Sequence, residues 1–233
     1  YKTSELLHVY GDPKVGKTSI STYVPMISIF KAKKELKPKE VFIVISTDGG
    51  FAIERLRELC KVHEVEFDEL IKHVMVSEPD TFLRQYYVVT KELPRVLEEK
   101  GLVPLLISLD PATVLYRAEY RDVPQKEILL KARELKPKLE AQLFTLLRVA
   151  KRYNCVATVT NIRRQFLGMD EEERRRRWDF YAGNLFAYVP YATIRLWRPS
   201  KESDQIVAER IIHRYAGYKR VTVRLTDAGF IDG

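Results

Sequence analysis

The sequence contains few residues of the kinds that build disulfide frameworks and metal centres. Its 233 residues include two cysteines, Cys60 and Cys155, and four histidines that are scattered along the chain. Neither cysteine belongs to a C-x-x-C motif, so we expect neither a disulfide framework nor a zinc site. Such cysteine usage is typical of a reducing cytoplasm, which is the location that we predict.

Long apolar runs are missing as well. No run approaches the roughly 20 apolar residues that a membrane-spanning helix needs, and the N-terminal residues do not resemble an export signal, so we expect no membrane association. The chain starts at Tyr1 rather than at a methionine, so whether another segment precedes Tyr1 stays an open question. Repeats and linkers are not seen in the sequence, and 45% of the residues are hydrophobic, which excludes disorder. We therefore predict one folded domain, residues 1–233.

Acidic residues are outnumbered by basic ones. Lysine and arginine total 40 against 32 aspartates and glutamates, which gives a net charge of +8. An excess of this size favours a polyanionic partner such as nucleic acid. Lysine, arginine and glutamate are also abundant in thermophilic proteins, where they form surface ion-pair networks. The charge alone leaves both explanations open.

Apolar segments rich in β-branched residues alternate with amphipathic segments along most of the chain. They predict strands at 6–10, 41–47, 73–77, 102–110, 155–161, 192–197, 206–214 and 221–226. They predict helices at 18–34, 52–63, 80–100 and 124–153, with a kink at Pro25 and a break near Pro137. Alternating strands and helices indicate an α/β fold with parallel βαβ units. The last three strands, which no helix separates, should form antiparallel hairpins at one edge.

Residues 11–18, GDPKVGKT, match the phosphate-binding pattern G-x-x-x-x-G-K-[ST] between a predicted strand and a predicted helix. Glycines let main-chain N–H groups turn toward an anion, and the start of the helix adds its positive dipole end. We expect Lys17 to reach the β- and γ-phosphates of a nucleotide and Thr18 to bind Mg²⁺. The predicted cofactor-binding residues of this loop are Gly11, Asp12, Pro13, Lys14, Val15, Gly16, Lys17, Thr18 and Ser19.

A phosphate loop also needs an acidic partner for Mg²⁺. Asp110 ends the apolar segment LLISLD, and the carboxyl ends of parallel strands meet at one edge of a sheet, beside the loop that follows the first strand. Thr18 and Asp110 are therefore the predicted metal ligands. The alternative is that Asp110 is an ordinary strand-end aspartate before Pro111.

Five segments follow one another in the order of a known family. They are STDGGFAIERL (46–56), LDPATVLYRAEY (109–120), LLRVAKRYNCVATVTN (146–161), AGNLFAYVPYATIRL (182–196) and VRLTDAGF (223–230). Together they resemble the RecA/RadA recombinase family, in particular the archaeal RadA paralogs. The resemblance implies a RecA-like P-loop NTPase core, with a mostly parallel twisted sheet flanked by helices, that uses ATP and Mg²⁺ and binds DNA. It also implies RadA recombinase, or further copies of the same chain, as protein partners.

Within this resemblance, Asp48 aligns with a glutamate that activates the attacking water, which implies a catalytic role. Aspartate is one methylene shorter, and a displacement of about 1 Å can lower a rate on the order of 100-fold. We therefore expect weak hydrolysis or a need for a partner. The alternative is a strand-end aspartate that is hydrogen-bonded to the turn of Gly49 and Gly50. Arg55 matches an arginine that lies over the adenine in relatives, and a helix-surface charge is its alternative.

A second departure from the family follows Asn161. In relatives this asparagine precedes a glutamine that senses the γ-phosphate and moves the DNA-binding loop, whereas here Ile162 follows it. Isoleucine cannot hydrogen-bond to phosphate, so we do not expect ATP and DNA binding to be coupled as in a full recombinase. Asn161 itself remains a predicted contact of the γ-phosphate or its water. The predicted catalytic residues are Lys17, Asp48, Asp110 and Asn161.

Two segments match the DNA-binding loops of the family by position. The predicted DNA-binding residues are Arg117, Arg121 and Lys126 in the first, and Arg163, Arg164, Phe166, Arg174 and Arg175 in the second. Arginines interleaved with aromatic residues suit phosphate contact and base stacking, which favours single-stranded DNA. The alternative for the second segment is a solvated helix, because Glu171 and Arg175 begin a series of favourable i,i+4 pairs.

We favour a RadA paralog that binds ATP, hydrolyses it weakly, binds DNA and modulates homologous recombination and repair. A nucleotide-binding regulator that acts through protein partners without DNA, as in the KaiC-like branch of the superfamily, is the alternative. A small-molecule phosphotransferase is a third class, which the predicted antiparallel strands at the C-terminal end disfavour.

Overall fold

The computed structural model describes residues 1–163, 179–200, 202–227 and 229–232. The strands are β1 (Leu6–Gly11), β2 (Glu40–Ser46), β3 (Val74–Ser77), β4 (Val103–Asp110), β5 (Val156–Ile162), β6 (Ala192–Trp197), β7 (Gln205–His213), β8 (Lys219–Thr226) and β9 (Gly229–Asp232). The helices are α1 (Val24–Lys33), α2 (Ile53–Val62), α3 (Phe67–Leu70), α4 (Phe82–Tyr87), α5 (Leu93–Lys100), α6 (Val114–Ala118), α7 (Ile128–Tyr153) and α8 (Gly183–Tyr188).

The described strands form one sheet in the order β3-β2-β4-β5-β1-β6-β7-β8-β9. All pairs from β3 to β6 are parallel, and the three pairs from β6 to β9 are antiparallel. This arrangement confirms the predicted α/β fold with antiparallel strands at its C-terminal end. Because β1 lies between β5 and β6, the phosphate loop that follows β1 leaves the middle of the sheet.

Apolar side chains cover both faces of the parallel part of the sheet. Successive residues of β2 alternate between two clusters: Ile43 and Ile45 belong to one, and Phe42 and Val44 to the other. Since side chains on a strand alternate between faces, the two clusters lie on opposite faces. Helix α7 covers the first face with leucines at helical spacing, and α1 and α2 cover the second.

The two helical prolines are accommodated in different ways. The predicted helix at 18–34 is present, since the chain is helical from residue 17 to Lys33. A π-helical turn, Ser19–Tyr23, immediately precedes α1, in which Pro25 is the second residue, and such turns are one cause of helix kinks. The kink at Pro25 itself stays a prediction. Pro137 lies inside α7, which is continuous from Ile128 to Tyr153, so the predicted break is wrong. The neighbouring turns, well packed through Leu135 and Leu139, hold the helix together across the proline.

The remaining differences concern short elements. The predicted helix at 80–100 is divided into α4 and α5 by a second π-helical turn, Val88–Glu92, and it ends at Gly101 with a left-handed φ of +61°. Strand β9 and helices α3, α6 and α8 were not predicted, because four to six residues are too few to show a period. In the part of the chain that the structure describes, no helix is long and apolar enough to cross a membrane.

Candidate nucleotide-binding site

The phosphate loop leaves β1 at a position where only glycine fits. A Cβ on Gly11 would lie 2.0 Å from the carbonyl oxygen of Leu196 in the adjacent strand β6. At the far end of the loop, Gly16 has a φ of +85°, in the left-handed region that favours glycine. The two glycines of the motif therefore meet two separate requirements, one steric and one conformational.

Lys17 folds back over the loop that precedes it. Its Nζ donates a hydrogen bond of 2.7 Å to the main-chain carbonyl of Asp12. Burial lowers the pKa of Lys17, and the carboxylates of Asp110, Asp12 and Asp48 act in the opposite direction. The ammonium group thus lies in a partly desolvated place among three carboxylates. Charges interact more strongly there than in water, which suits the binding of a phosphate group.

Asp110 and Thr18, the predicted metal ligands, lie next to each other. The Asp110 carboxylate is buried and accepts a hydrogen bond from the Thr160 hydroxyl, and the Thr18 hydroxyl is near enough to act on its pKa. Burial raises the pKa of Asp110, while the two hydroxyl donors and the charge of Lys17 act to lower it. A hydroxyl oxygen and a carboxylate side by side are donors that suit Mg²⁺, which takes few protein ligands and completes its shell with water and phosphate oxygens.

A cleft of about 630 Å³ connects these groups. Among its lining residues are Pro13, Lys14, Gly16, Lys17, Thr18, Ser19, Asp48, Arg55, Asp110 and Ile162, with Leu225, Thr226 and Asp227 on the side of β8. Of the other predicted loop residues, Gly11 and Val15 are buried below the loop and Asp12 is half-buried. The volume falls within the range of about 300–1,000 Å³ that is typical of small-molecule sites. Sequence-predicted residues from three separate segments, the phosphate loop, 46–56 and 109–120, are therefore brought together at one cleft.

Asp48 and Arg55 reach this cleft from the connection between β2 and α2 and from α2. Asp48 is exposed, and its Oδ1 accepts a hydrogen bond of 3.0 Å from the N–H of Gly50. The structure thus contains the turn contact and also presents the carboxylate to the cleft that holds Lys17. Arg55 donates to the carbonyls of Asp227, at 2.6 Å, and Thr226, at 3.2 Å. These two hydrogen bonds connect α2 to the end of β8.

Asn161 lies at the end of β5, where its side chain is buried and engaged on both sides. Its Nδ2 donates to the carbonyl of Tyr181 at 2.9 Å, and its Oδ1 accepts from the Thr113 hydroxyl at 2.5 Å and from the N–H of Ile162 at 2.8 Å. Ile162, rather than Asn161, is among the residues that line the cleft. The contact of Asn161 with a γ-phosphate therefore stays a prediction.

The predicted DNA-binding residues are placed in three different ways. Arg117, Arg121 and Lys126 are exposed, and the Arg117 guanidinium lies 4.3 Å from the ring centroid of Tyr181. Arg163 is half-buried and forms ion pairs with two carboxylates. The other four, Arg164, Phe166, Arg174 and Arg175, lie outside the described residues.

Three residues that belong to the surroundings of the site were missed by sequence reasoning. Thr160 donates to Asp110, and its position one residue before Asn161 at a strand end could have indicated it. Arg198 donates to the carbonyl of Lys14 at 3.1 Å, and Asp179 binds Arg163. No local sequence pattern indicates these two contacts, because each one joins residues that are far apart in sequence.

Comparisons with known proteins found a matching family model and several relatives. The family model described as Rad51 matches residues 1–196. The DNA repair and recombination protein RadB of Methanocaldococcus jannaschii is 27% identical over 224 residues, which cover 96% of this chain and 91% of the relative. RadB of Methanobrevibacter smithii is 24% identical over 224 residues, 96% of this chain and 86% of the relative. RadB of Methanococcus maripaludis is 28% identical over 190 residues, 82% and 78% respectively.

Proposed function

This chain belongs to the Rad51 family, and on that premise we propose that it binds ATP with Mg²⁺, hydrolyses ATP slowly, binds single-stranded DNA and modulates recombinational repair. The proposal includes a single ATPase domain that spans the chain and acts in the cytoplasm. Its relatives are named DNA repair and recombination proteins, which supports the biological setting. RadA-type recombinase or further copies of this chain are the proposed protein partners.

The observation that carries the proposal is the meeting of Lys17, Thr18, Asp110 and Asp48 at one cleft. Lys17 would offset the charge of the β- and γ-phosphates, and Thr18 and Asp110 would hold Mg²⁺, which would neutralise phosphate charge when it is bound. Asp48 would orient the attacking water and accept its proton. The four groups have the chemistry that phosphoryl transfer to water requires.

Slow turnover follows from the geometry of Asp48. Its side chain is one methylene shorter than a glutamate, and Gly50 already donates to Oδ1. A carboxylate that is held back by a turn contact is less free to approach a water molecule, and small misplacements of a catalytic group are costly. We therefore propose that hydrolysis is slow in the isolated protein.

The proposed DNA contacts begin with three exposed cations around α6. Arg117, Arg121 and Lys126 are exposed, and the Arg117 guanidinium lies over the ring of the half-buried Tyr181 at 4.3 Å from its centroid. Cations bind phosphates, and aromatic rings beside them suit the stacking of bases, which is the combination that single-stranded nucleic acid uses. Residues 164–178 add five arginines by sequence, four of them consecutive.

The test is ATP turnover with and without single-stranded DNA, in the parent protein and in Lys17→Ala and Asp48→Ala. We expect slow turnover that DNA increases and that both substitutions abolish. If calorimetry shows that the parent binds ATP but its turnover is no higher than that of Lys17→Ala, the protein binds nucleotide without hydrolysing it. No retention of DNA at low salt would favour a regulator that acts through protein partners.

A further inference from the structure

Arg163 joins the phosphate loop to the far end of the chain segment that follows β5. Its Nη1 lies 3.2 Å from Asp12 Oδ2, and its Nε lies 3.2 Å from Asp179 Oδ2. Asp12 is the second residue of the phosphate loop, and Asp179 is the first described residue after residues 164–178. One guanidinium group is thus shared by two carboxylates that are far apart in sequence.

Both carboxylates are also held by neighbouring groups. Asp179 accepts a hydrogen bond of 2.6 Å from the hydroxyl of Tyr10, the residue before the phosphate loop, and its other oxygen lies 3.5 Å from Arg195 Nη2. Asp12 uses its main-chain carbonyl to hold Lys17 Nζ at 2.7 Å. A continuous series of polar contacts therefore runs from the phosphate-binding lysine to Asp179.

The main chain follows the same route. The N–H of Arg163 donates to the carbonyl of Gly11 at 3.3 Å, and Arg163 pairs with Phe180 in an isolated antiparallel bridge. These contacts fix the backbone on both sides of the guanidinium, so its position depends on the phosphate loop and on residues 179–180 together. Ile162, which faces the cleft, offers no polar group for such a connection.

We propose that Arg163 is a positioning residue that couples nucleotide binding in the phosphate loop to the chain at Asp179. The proposal rests on the proposed binding of a nucleoside triphosphate. A bound triphosphate adds negative charge beside Asp12 and competes for Lys17, which Asp12 holds. The charge around Asp12 then changes. As a result, the strength of the Arg163–Asp12 ion pair changes relative to that of the Arg163–Asp179 ion pair. Coupling would thus pass through Arg163, one residue beyond the isoleucine that cannot provide it.

The test reads the chain next to Asp179 directly and needs no DNA. The sequence has two tryptophans, Trp178 and Trp197, so a protein labelled with fluorotryptophan gives two fluorine NMR signals, and Trp197→Phe assigns them. A non-hydrolysable ATP analogue with Mg²⁺ is added until calorimetry shows saturation. We expect the signal of Trp178 to shift in the parent protein, and the shift to be lost in Arg163→Ala and Asp179→Asn at their own saturating concentrations.

Two further variants separate coupling from a merely structural role. Arg163→Lys keeps the charge, but an ammonium group cannot reproduce the two-sided geometry of a guanidinium, so we expect less than half of the parent shift. Arg152→Ala removes an exposed arginine paired with Glu98 at the end of α7 and should keep the full shift. Unfolding temperatures of all variants are measured first, and only folded variants are compared.

The possible results separate this inference from the proposed function. Absence of nucleotide binding in the parent protein, seen by calorimetry, would contradict the proposed function. Binding without a shift at Trp178, or a shift of parent size in Arg163→Ala, would overturn the role of Arg163 and leave ATP binding intact.

Discussion

The aromatic ring of Phe230 in β9 lies against Gly16 in the phosphate loop. A Cβ on Gly16 would come within 2.4 Å of Phe230 Cζ and 3.0 Å of its Cε2. The last described strand of the sheet therefore packs on the loop that would hold the phosphates. Gly16 is constrained twice, by its φ of +85° and by this aromatic contact.

We predict that Gly16→Ala prevents nucleotide binding and lowers the unfolding temperature, since alanine is strained at this φ and meets the Phe230 ring. Phe230 also packs against the apolar cluster that includes Leu196 and Ile206, so Phe230→Ala is destabilising by itself and serves as the second background. We expect Gly16→Ala to lower the unfolding temperature less in the Phe230→Ala background than in the parent, because the contact is already absent there. Calorimetry with an ATP analogue and thermal unfolding measure the two effects. An equal loss in both backgrounds would show that the contact is unimportant.

A second prediction concerns the length of residue 48. Asp48→Glu extends the carboxylate by one methylene beyond its turn contact with Gly50, and we expect kcat for ATP hydrolysis to rise on the order of 10-fold or more. Asp48→Asn, which keeps the length but not the charge, serves as the control and should have no measurable turnover. Glutamate that leaves kcat unchanged would argue against Asp48 as the group that activates water.

A third prediction separates stability from metal binding at Asp110. Burial raises the pKa of Asp110, which means that the ionised carboxylate destabilises the folded protein at neutral pH. Asp110→Asn should therefore unfold at a higher temperature than the parent when Mg²⁺ and nucleotide are absent. An ATP analogue at about 100 times its Kd should stabilise the parent by about 2.7 kcal/mol in total. Asp110→Asn should lose the part of this stabilisation that depends on Mg²⁺. An equal Mg²⁺ response in both proteins would exclude Asp110 as a ligand.

The fourth prediction is a pH dependence of stability that arises from His8. This side chain is buried among Tyr10, Phe180 and Phe186, and burial lowers its pKa from 6.5 to about 3. The unfolded chain binds a proton below pH 6.5 that the folded protein does not, so stability falls with decreasing pH in this window, by about 1.4 kcal/mol for each pH unit.

Denaturant unfolding of the parent and of His8→Leu between pH 4 and 7 measures this contribution as the difference between two slopes. The leucine variant should lose stability less steeply as the pH falls. The matched control is His63→Leu, at an exposed position, which should follow the parent. Parallel curves for the parent and His8→Leu would contradict the prediction.

The fifth prediction tests the DNA surface with two similar arginines. Arg117 and Arg152 are both exposed and both lie over a tyrosine ring, at 4.3 Å from Tyr181 and 5.6 Å from Tyr153. Arg117→Ala should weaken binding of single-stranded DNA and reduce the slope of log K against log salt by about 0.7, the value for one phosphate contact. Arg152→Ala should leave affinity and slope unchanged, and equal effects would show that only net charge matters.

The parts of the site that the sequence predicted are those with local signals. The loop of Gly11, Gly16, Lys17 and Thr18 follows from a contiguous motif, and Asp110 follows from the rule that parallel strands end at one edge. Both inferences need only the order of strands and helices. The predicted α/β fold was confirmed for the same reason.

The parts that were not predicted depend on how distant segments meet. Asp179 binds Arg163 only because the chain that leaves β5 returns beside it, and Arg198 reaches Lys14 only because β6 pairs with β1. Pro137 inside α7 was taken as a break because the local cost of proline is large, and tertiary packing of the flanking leucines overrides that cost.

The π-helical turn Ser19–Tyr23 sets the phase between the phosphate loop and the helix behind it. A π-helical turn holds one more residue than an α-helical turn, so the side chains that follow are rotated by about 100° relative to a regular helix. In this phase Thr22 bonds Ser108 of β4 at 2.7 Å, and Met26 is fully buried. Deleting one residue of this turn would give a regular α-helix. It would also rotate the buried side of α1 about the helix axis relative to Thr18. The orientation of Thr18 in the site therefore depends on the number of residues between Thr18 and Met26 as well as on which residues they are.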